Sequence, residues 1–164
     1  MAAQEQAKWE GKATAKLKGV RAEQVWPLLE DFCSFDKWIP TIDTCHQVEG
    51  VKGQPGLVRY CASTPLNTDD ESKNSMTKWC HEKLIAIDPI LRCLIYEVLE
   101  NNMGIKSYIG TIKLLDDDDT FGCQIEWSFL ADPVDGLSFQ DLSSYLNFTL
   151  QGMAENMERA LQIK

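Results

Sequence analysis

Little in this sequence points to a metal, a nucleic acid or a membrane. Only two histidines occur among 164 residues, and no two of the six cysteines form a CxxC pair. His46 and His81 stand far along the chain from any close-spaced thiols, so zinc is not expected. No uninterrupted apolar run approaches the roughly 18–20 residues of a membrane-spanning helix. The opening residues, M-A-A-Q-E-Q-A-K-W-E, lack the apolar stretch of a secretory signal. Clusters of Lys or Arg are also missing. With 16 basic against 25 acidic residues and a net charge of −9, most of the surface repels phosphate backbones and anionic lipid. These absences predict a cytoplasmic protein, small enough for nuclear access. It should neither bind nucleic acid nor insert in membranes, and its scattered cysteines should stay reduced as small buried hydrophobes. The Asn147-Phe-Thr149 sequon falls in a predicted helix and reads as chance.

What is present suits one globular domain, residues 1–164. Hydrophobic residues make up 44 % and charged residues 25 %, enough for a real core at this length. Residues 9–18 alternate cleanly, with Trp9, Gly11, Ala13, Ala15 and Leu17 on one face and charged or polar side chains on the other. That is a half-buried antiparallel strand. Val25, Leu28, Leu29 and Phe32 then recur at helical spacing over 21–33, with Pro27 expected to interrupt or bend the helix. A second short helix is expected at Ser34–Trp38, ahead of Pro40. Strand signals follow at about 43–49, 56–62, 78–88, 91–99, 105–115 and 121–130, separated by turn residues. The run Asp116–Asp119 reads as a solvated hairpin tip. The polar stretch 63–77 reads equally as a lid or as a loose tip. A helix of about 25 residues closes the chain. Its apolar stripe comprises Leu142, Tyr145, Leu146, Thr149, Leu150, Met153, Met157, Ala160 and Leu161.

This order predicts an α+β fold: a seven-stranded curved antiparallel sheet wrapped on a long C-terminal helix, with two short helices after the first strand. An internal cavity between sheet and helix is expected, enlarged by small inward residues such as Gly11, Ala13, Ala15 and Gly110. Leu57, Leu84, Trp127, Phe129, Leu146, Leu150 and Met153 are its expected wall.

Two charges are out of place in that scheme. Arg59 alternates in phase with Leu57 and Cys61, and Glu82 with Cys80, Leu84 and Ala86. Strand side chains repeat with period two, so both charges should face inward with their apolar neighbours. A buried, unpartnered ion costs several kcal/mol, so such charges are paired, hydrogen-bonded or functional. A pair that merely fixes strand register and a pair that meets a ligand both satisfy this rule. His81 has the opposite parity and should face outward.

The order of elements resembles the helix-grip fold of the birch-pollen-allergen, START and polyketide-cyclase superfamily. Within it, A-x-Q-V-W-x-L-L-x-D-F (Ala22–Phe32), V-E-G (Val48–Gly50), G-x-V-R-Y (Gly56–Tyr60), E-K-L-I-A-I-D (Glu82–Asp88) and W-S-F (Trp127–Phe129) resemble the lachrymatory-factor synthases of plants. The resemblance implies activity resting on Arg59, Glu82 and, in S-Y-I-G-T (Ser107–Thr111), Tyr108. It implies a proton transfer without any cofactor, in which a sulfenic acid rearranges to a thial S-oxide. Glu82 would carry the proton, and Arg59 would meet the developing negative oxygen. Burial favours the neutral acid at Glu82, whereas Arg59 favours the carboxylate; the two oppose one another. From the residues alone, Tyr108 reads as wall or site with equal weight. An isomerase or lyase-like enzyme and a carrier of a small hydrophobic or amphipathic ligand both fit the fold. A hormone-sensor role fits less well, because the gate and latch motifs of the abscisic-acid receptors are missing.

Overall fold

The computed structural model describes residues 7–64 and 77–162. Strand β1 (Trp9–Leu17) leads into helix α1 (Ala22–Glu30) and a 3-10 helix (Phe32–Lys37). Six strands follow: β2 (Thr44–Glu49), β3 (Val58–Ser63), β4 (Lys78–Asp88), β5 (Cys93–Asn101), β6 (Tyr108–Asp117) and β7 (Gly122–Ala131). Helix α2 (Phe139–Gln162) ends the described chain. All pairings are antiparallel, in the order β1-β7-β6-β5-β4-β3-β2, so β1 and β2 are the edges. This is the helix-grip architecture that the sequence implies. Most of the expected lid, residues 65–76, lies outside the described residues.

Local chemistry explains the boundaries. Helix α1 stops at Glu30, short of the predicted 33. Pro27 sits inside it, the Asp31 N–H returns to the Pro27 carbonyl, and Phe32 belongs to the tighter 3-10 turn. The N-terminus of α1 is held from across the molecule. Asp116 Oδ1 accepts from the Ala22 N–H at 2.9 Å, while Arg21 pairs with Asp116 and Asp118 at 3.3 and 2.9 Å. The aspartate run is therefore more than a solvated tip, because part of it caps a helix. Helix α2 opens on a reciprocal box in which the Asp141 N–H bonds Ser138 Oγ and the Ser138 N–H bonds Asp141 Oδ2, each at 3.0 Å.

The core is one continuous cluster running from Leu17 and Ala22 through Leu84, Leu94, Ile112 and Ile125 to Leu150, Met153 and Met157. Each Leu, Ile or Met among them contributes roughly 1.5–3 kcal/mol by leaving water. Helix α2 lies on β1 and touches β7 and α1. Polar side chains fasten it to the β1 edge: the Lys18 N–H donates to Glu158 at 2.7 Å, and Gln151 donates to the Thr14 carbonyl at 2.9 Å. Its buried stripe is narrower than the sequence suggests. Tyr145, at 54 % exposure, and Ala160 face solvent, lying to the side of the line that runs from Leu146 to Met157.

Two of the small inward residues, Gly11 and Gly110, do not open free space. A Cβ on Gly11 would stand 2.6 Å from the Phe129 ring, and one on Gly110 would collide with the Tyr96 ring. Both glycines are seats for aromatic rings. A cleft of about 540 Å³ does exist, but it lies between Glu10, Lys12, Ile109, Thr111, Ser128 and Leu130, on the outward positions of β1, β6 and β7.

Candidate functional site

The register of β3 on β4 sets Arg59 directly opposite Glu82. Side chains at opposed positions share a face, so the pair forms without any long-range adjustment. Arg59 Nε and Nη2 both reach Glu82 Oε1, at 2.8 and 2.6 Å. Nη1 donates to the Phe32 carbonyl at 2.6 Å. The guanidinium plane is covered by the Phe32 and Phe35 rings, whose centroids lie 3.7 and 4.3 Å away, and Tyr96 approaches at 5.5 Å. The lid over this pair is therefore the 3-10 helix, not α2 as its place in the sequence suggests. Leu57 and Leu84 flank it, fully buried, with the Leu84 N–H bonded to the Leu57 carbonyl at 2.8 Å.

Arg59 is buried to 2 % exposure, a rare state for an arginine. Burial is the largest single influence and pulls its pKa down, but the Glu82 carboxylate together with the nearby Cys61, Cys45 and Tyr96 groups more than offsets it and holds the guanidinium charged above its ordinary value. The Glu82 side chain keeps 13 % of its surface, against 3 % for Arg59. Both guanidinium bonds fall on Oε1, so the arginine leaves Oε2 uncommitted. The same carboxylate also shares a hydrogen bond with the Cys80 thiol, and a carboxylate in such a polar cluster that keeps some exposed surface is suited to accept or deliver a proton.

Tyr108 does not touch the ion pair directly. It is half-buried at the start of β6, stacked on Phe129 with centroids 5.5 Å apart and planes 8° from parallel. Burial raises its phenol well above the ordinary value, while a hydrogen bond with Tyr96 pulls the other way. Tyr96 is the connection between them. It is 2 % exposed, accepts a hydrogen bond from Trp127 Nε1 at 3.0 Å, and lies between the Arg59 and Tyr108 groups. Sequence reasoning passed over Tyr96, although it alternates in phase with buried Leu94 on β5. Phe32 and Phe35 were missed for a different reason: no periodicity reports that a 3-10 turn folds over a strand two elements away.

Trp127 and Phe129 are buried, and Leu146, Leu150 and Met153 lie on the buried face of α2. His81 faces outward, in an aromatic group with Tyr60 and Trp79 and 3.6 Å from Glu100. On the inward side, opposed register lines up Cys45, Cys61 and Cys80 across β2, β3 and β4 beside the charged pair. Among the described residues, no group of three or more His, Cys, Asp or Glu side chains is arranged to hold a metal ion. Nor is any helix there long and apolar enough to cross a membrane.

Residues 9–162 match the model of the family described as polyketide cyclase / dehydrase and lipid transport. The chain belongs to that family. Binding of a hydrophobic ligand is the general role that this membership carries. Solved structures agree on the fold. Ginseng major latex-like protein 151 from Panax ginseng is 19 % identical, with a TM-score of 0.70 over 94 % of this chain and 99 % of its own. Ara h 8.0201 is 18 % identical, with a TM-score of 0.69 over 94 % and 98 %. XoxI from Bacillus cereus is 19 % identical, with a TM-score of 0.69 over 94 % and 95 %. At these identities the likeness concerns architecture alone.

Proposed function

We propose that this family member is a cofactor-free, isomerase or lyase-like enzyme that moves a proton on a small apolar substrate with a polar head. Glu82 carries the proton. The observation behind this reading is the one-sided grip on a partly exposed carboxylate: Oε1 takes two bonds from Arg59 at 2.6 and 2.8 Å, neither falls on Oε2, and the Glu82 side chain keeps 13 % of its surface. The pair is neutral overall, so a neutral head such as a sulfenic acid is easier to accommodate than an anion. Arg59 acts here as a positioning residue. Its Nε, Nη1 and Nη2 already donate and the Phe32 and Phe35 rings lie against it, so it orients the carboxylate rather than meeting the substrate. Tyr108 reaches the site through Tyr96 and orients in the same way. The likeness to the lachrymatory-factor synthases of plants makes a sulfenic-acid-generating mixture the first substrate to try, in an intracellular setting that keeps thiols reduced.

A second reading, a carrier of an apolar metabolite without turnover, draws support from the same close packing of Arg59. A guanidinium with all its neighbours in place is also what a structural ion pair needs. The discriminating assay uses Glu82→Gln and Arg59→Leu, with circular dichroism to verify folding. Loss of thial S-oxide formation in Glu82→Gln, with retained binding of a neutral fluorescent apolar probe, supports the enzyme. Probe binding by the unaltered protein with no turnover supports the carrier.

A further inference from the structure

We propose that Cys45 and Cys61 form a hydroperoxide-reactive dithiol that closes to a disulfide across β2 and β3. This is independent of the proton-transfer reading. The two residues are directly opposed in the β2–β3 register, and their sulfurs lie 3.5 Å apart with the Cys61 thiol donating to Cys45. Opposed residues on antiparallel strands keep their Cα atoms roughly 4.5–5.5 Å apart, inside the ~4.4–6.8 Å range that a disulfide tolerates. Closure therefore needs side-chain rotation, not backbone movement.

The roles of the two sulfurs differ. Cys45 is half-buried on an edge strand and is the one a small oxidant can reach; Cys61 is buried. The hydrogen bond from Cys61, helped by the Arg59 charge and a backbone bond with Phe35, brings Cys45 down to about 7. The same bond, with burial, holds the proton on Cys61. Cys33 stands nearby, but burial raises its thiol and so disfavours a competing thiolate.

The chemistry balances as two steps. The Cys45 thiolate attacks one oxygen of the hydroperoxide; an S–O bond forms, the O–O bond breaks, and the alkoxide leaves and takes a proton. Cys61 sulfur then attacks Cys45 sulfur; the S–S bond forms, and hydroxide departs with the Cys61 proton as water. The two thiols give up two electrons, and the hydroperoxide is reduced to an alcohol, or to water when it is hydrogen peroxide. A thiol such as glutathione reverses the change by exchange. Oxidation also draws the Cys61 sulfur, 4.0 Å from Glu82 Oε1, into the S–S bond, tying the redox state to the surroundings of the carboxylate.

The test treats the full chain with stoichiometric hydrogen peroxide and maps its peptides without reduction. The expected product is an intramolecular Cys45–Cys61 link, reversed by glutathione, with four of the six cysteines still alkylated after denaturation. Cys45→Ser should form no link and react more slowly. Cys61→Ser should accumulate sulfenic acid at Cys45, trapped by dimedone. An unreacted dithiol, a Cys61–Cys80 link, or equal peroxide consumption by unaltered protein and Cys45→Ser would overturn the assignment. Each outcome is read without any turnover assay.

Discussion

At the scale of single residues, two features set this protein apart from a generic apolar core: a buried guanidinium and a thiol of low pKa. Arg59 is held by Glu82, by one carbonyl and by two aromatic faces. Removing it strands a carboxylate in a mostly dry site. Arg59→Leu should lower unfolding free energy by about 3–5 kcal/mol, the cost typical of breaking a buried ion pair from one side. The double variant Arg59→Leu/Glu82→Gln should recover part of that loss, because the orphaned charge is gone. Urea titrations of the two singles and the double give the coupling directly; strictly additive losses would contradict the pairing. Cys45 supplies a second test. Its alkylation by iodoacetamide should rise with pH through a midpoint near 7, the thiolate being the reactive form. The other described cysteines with resolved shifts should react only in more alkaline solution, since burial or their neighbours raise them.

At the scale of elements, the molecule is fastened by caps and ring seats. Asp116 lies near the end of β6, paired with Cys123, and its side chain caps α1, so Asp116→Ala should cost about 1 kcal/mol through the lost cap. The loss should appear as earlier hydrogen exchange in α1 than in α2. Gly110→Ala places a methyl group against the Tyr96 ring and should destabilise by about 1–3 kcal/mol. A Tyr96→Leu partner should relieve much of that, as measured by thermal melts. Asp141 adds a pH dependence. Its bond from the Ser138 N–H holds it below the ordinary carboxylate range, so the folded form takes up a proton less readily than the unfolded chain. That stabilisation is present above the ordinary carboxylate range and is lost as pH falls through the depressed folded value. Asp141→Asn should accordingly flatten the acid limb of the stability curve.

The strands were legible in the sequence for the same reason that the site was. Period-two alternation reports which way a side chain points, and it is enough to bring Arg59 and Glu82 to one face. Register then converted shared parity into contact. What alternation cannot report is cover. Nothing in Phe32-Cys33-Ser34-Phe35 says that two rings fold onto a strand some twenty-five residues away, because that contact is made by a 3-10 turn with no stripe of its own. The same gap misread Gly11 and Gly110 as open space. A missing side chain and a neighbour's ring placed in the gap give an identical sequence signal. Tyr145 and Ala160 illustrate the converse at α2, where a wide apolar stripe lay over a narrower contact.

At the scale of the whole molecule, the sheet is covered from two sides of its concave face. Helix α2 seals β1 and β7, while the 3-10 helix seals β3 over the ion pair. Tyr96 and Phe129 occupy the room beside Gly110 and Gly11, so a hydrophobic ligand entering there displaces these rings. Binding should therefore be accompanied by ring movement. Dissection by ring truncation follows: Tyr96→Leu should change probe affinity in either direction by several-fold, whereas Phe148→Ala, on the solvent face of α2, should leave it unaltered.

The account turns on Glu82 being the group that meets a bound molecule. The most direct measurement is carbon NMR of the glutamate side-chain carboxyls in protein titrated with 1-hexanol, with hexane as the headless control. The account predicts that hexanol binds more tightly than hexane and shifts one buried carboxyl resonance, the one absent from Glu82→Gln. Equal affinity for the two probes, with the Glu82 resonance unmoved at saturation, would contradict it.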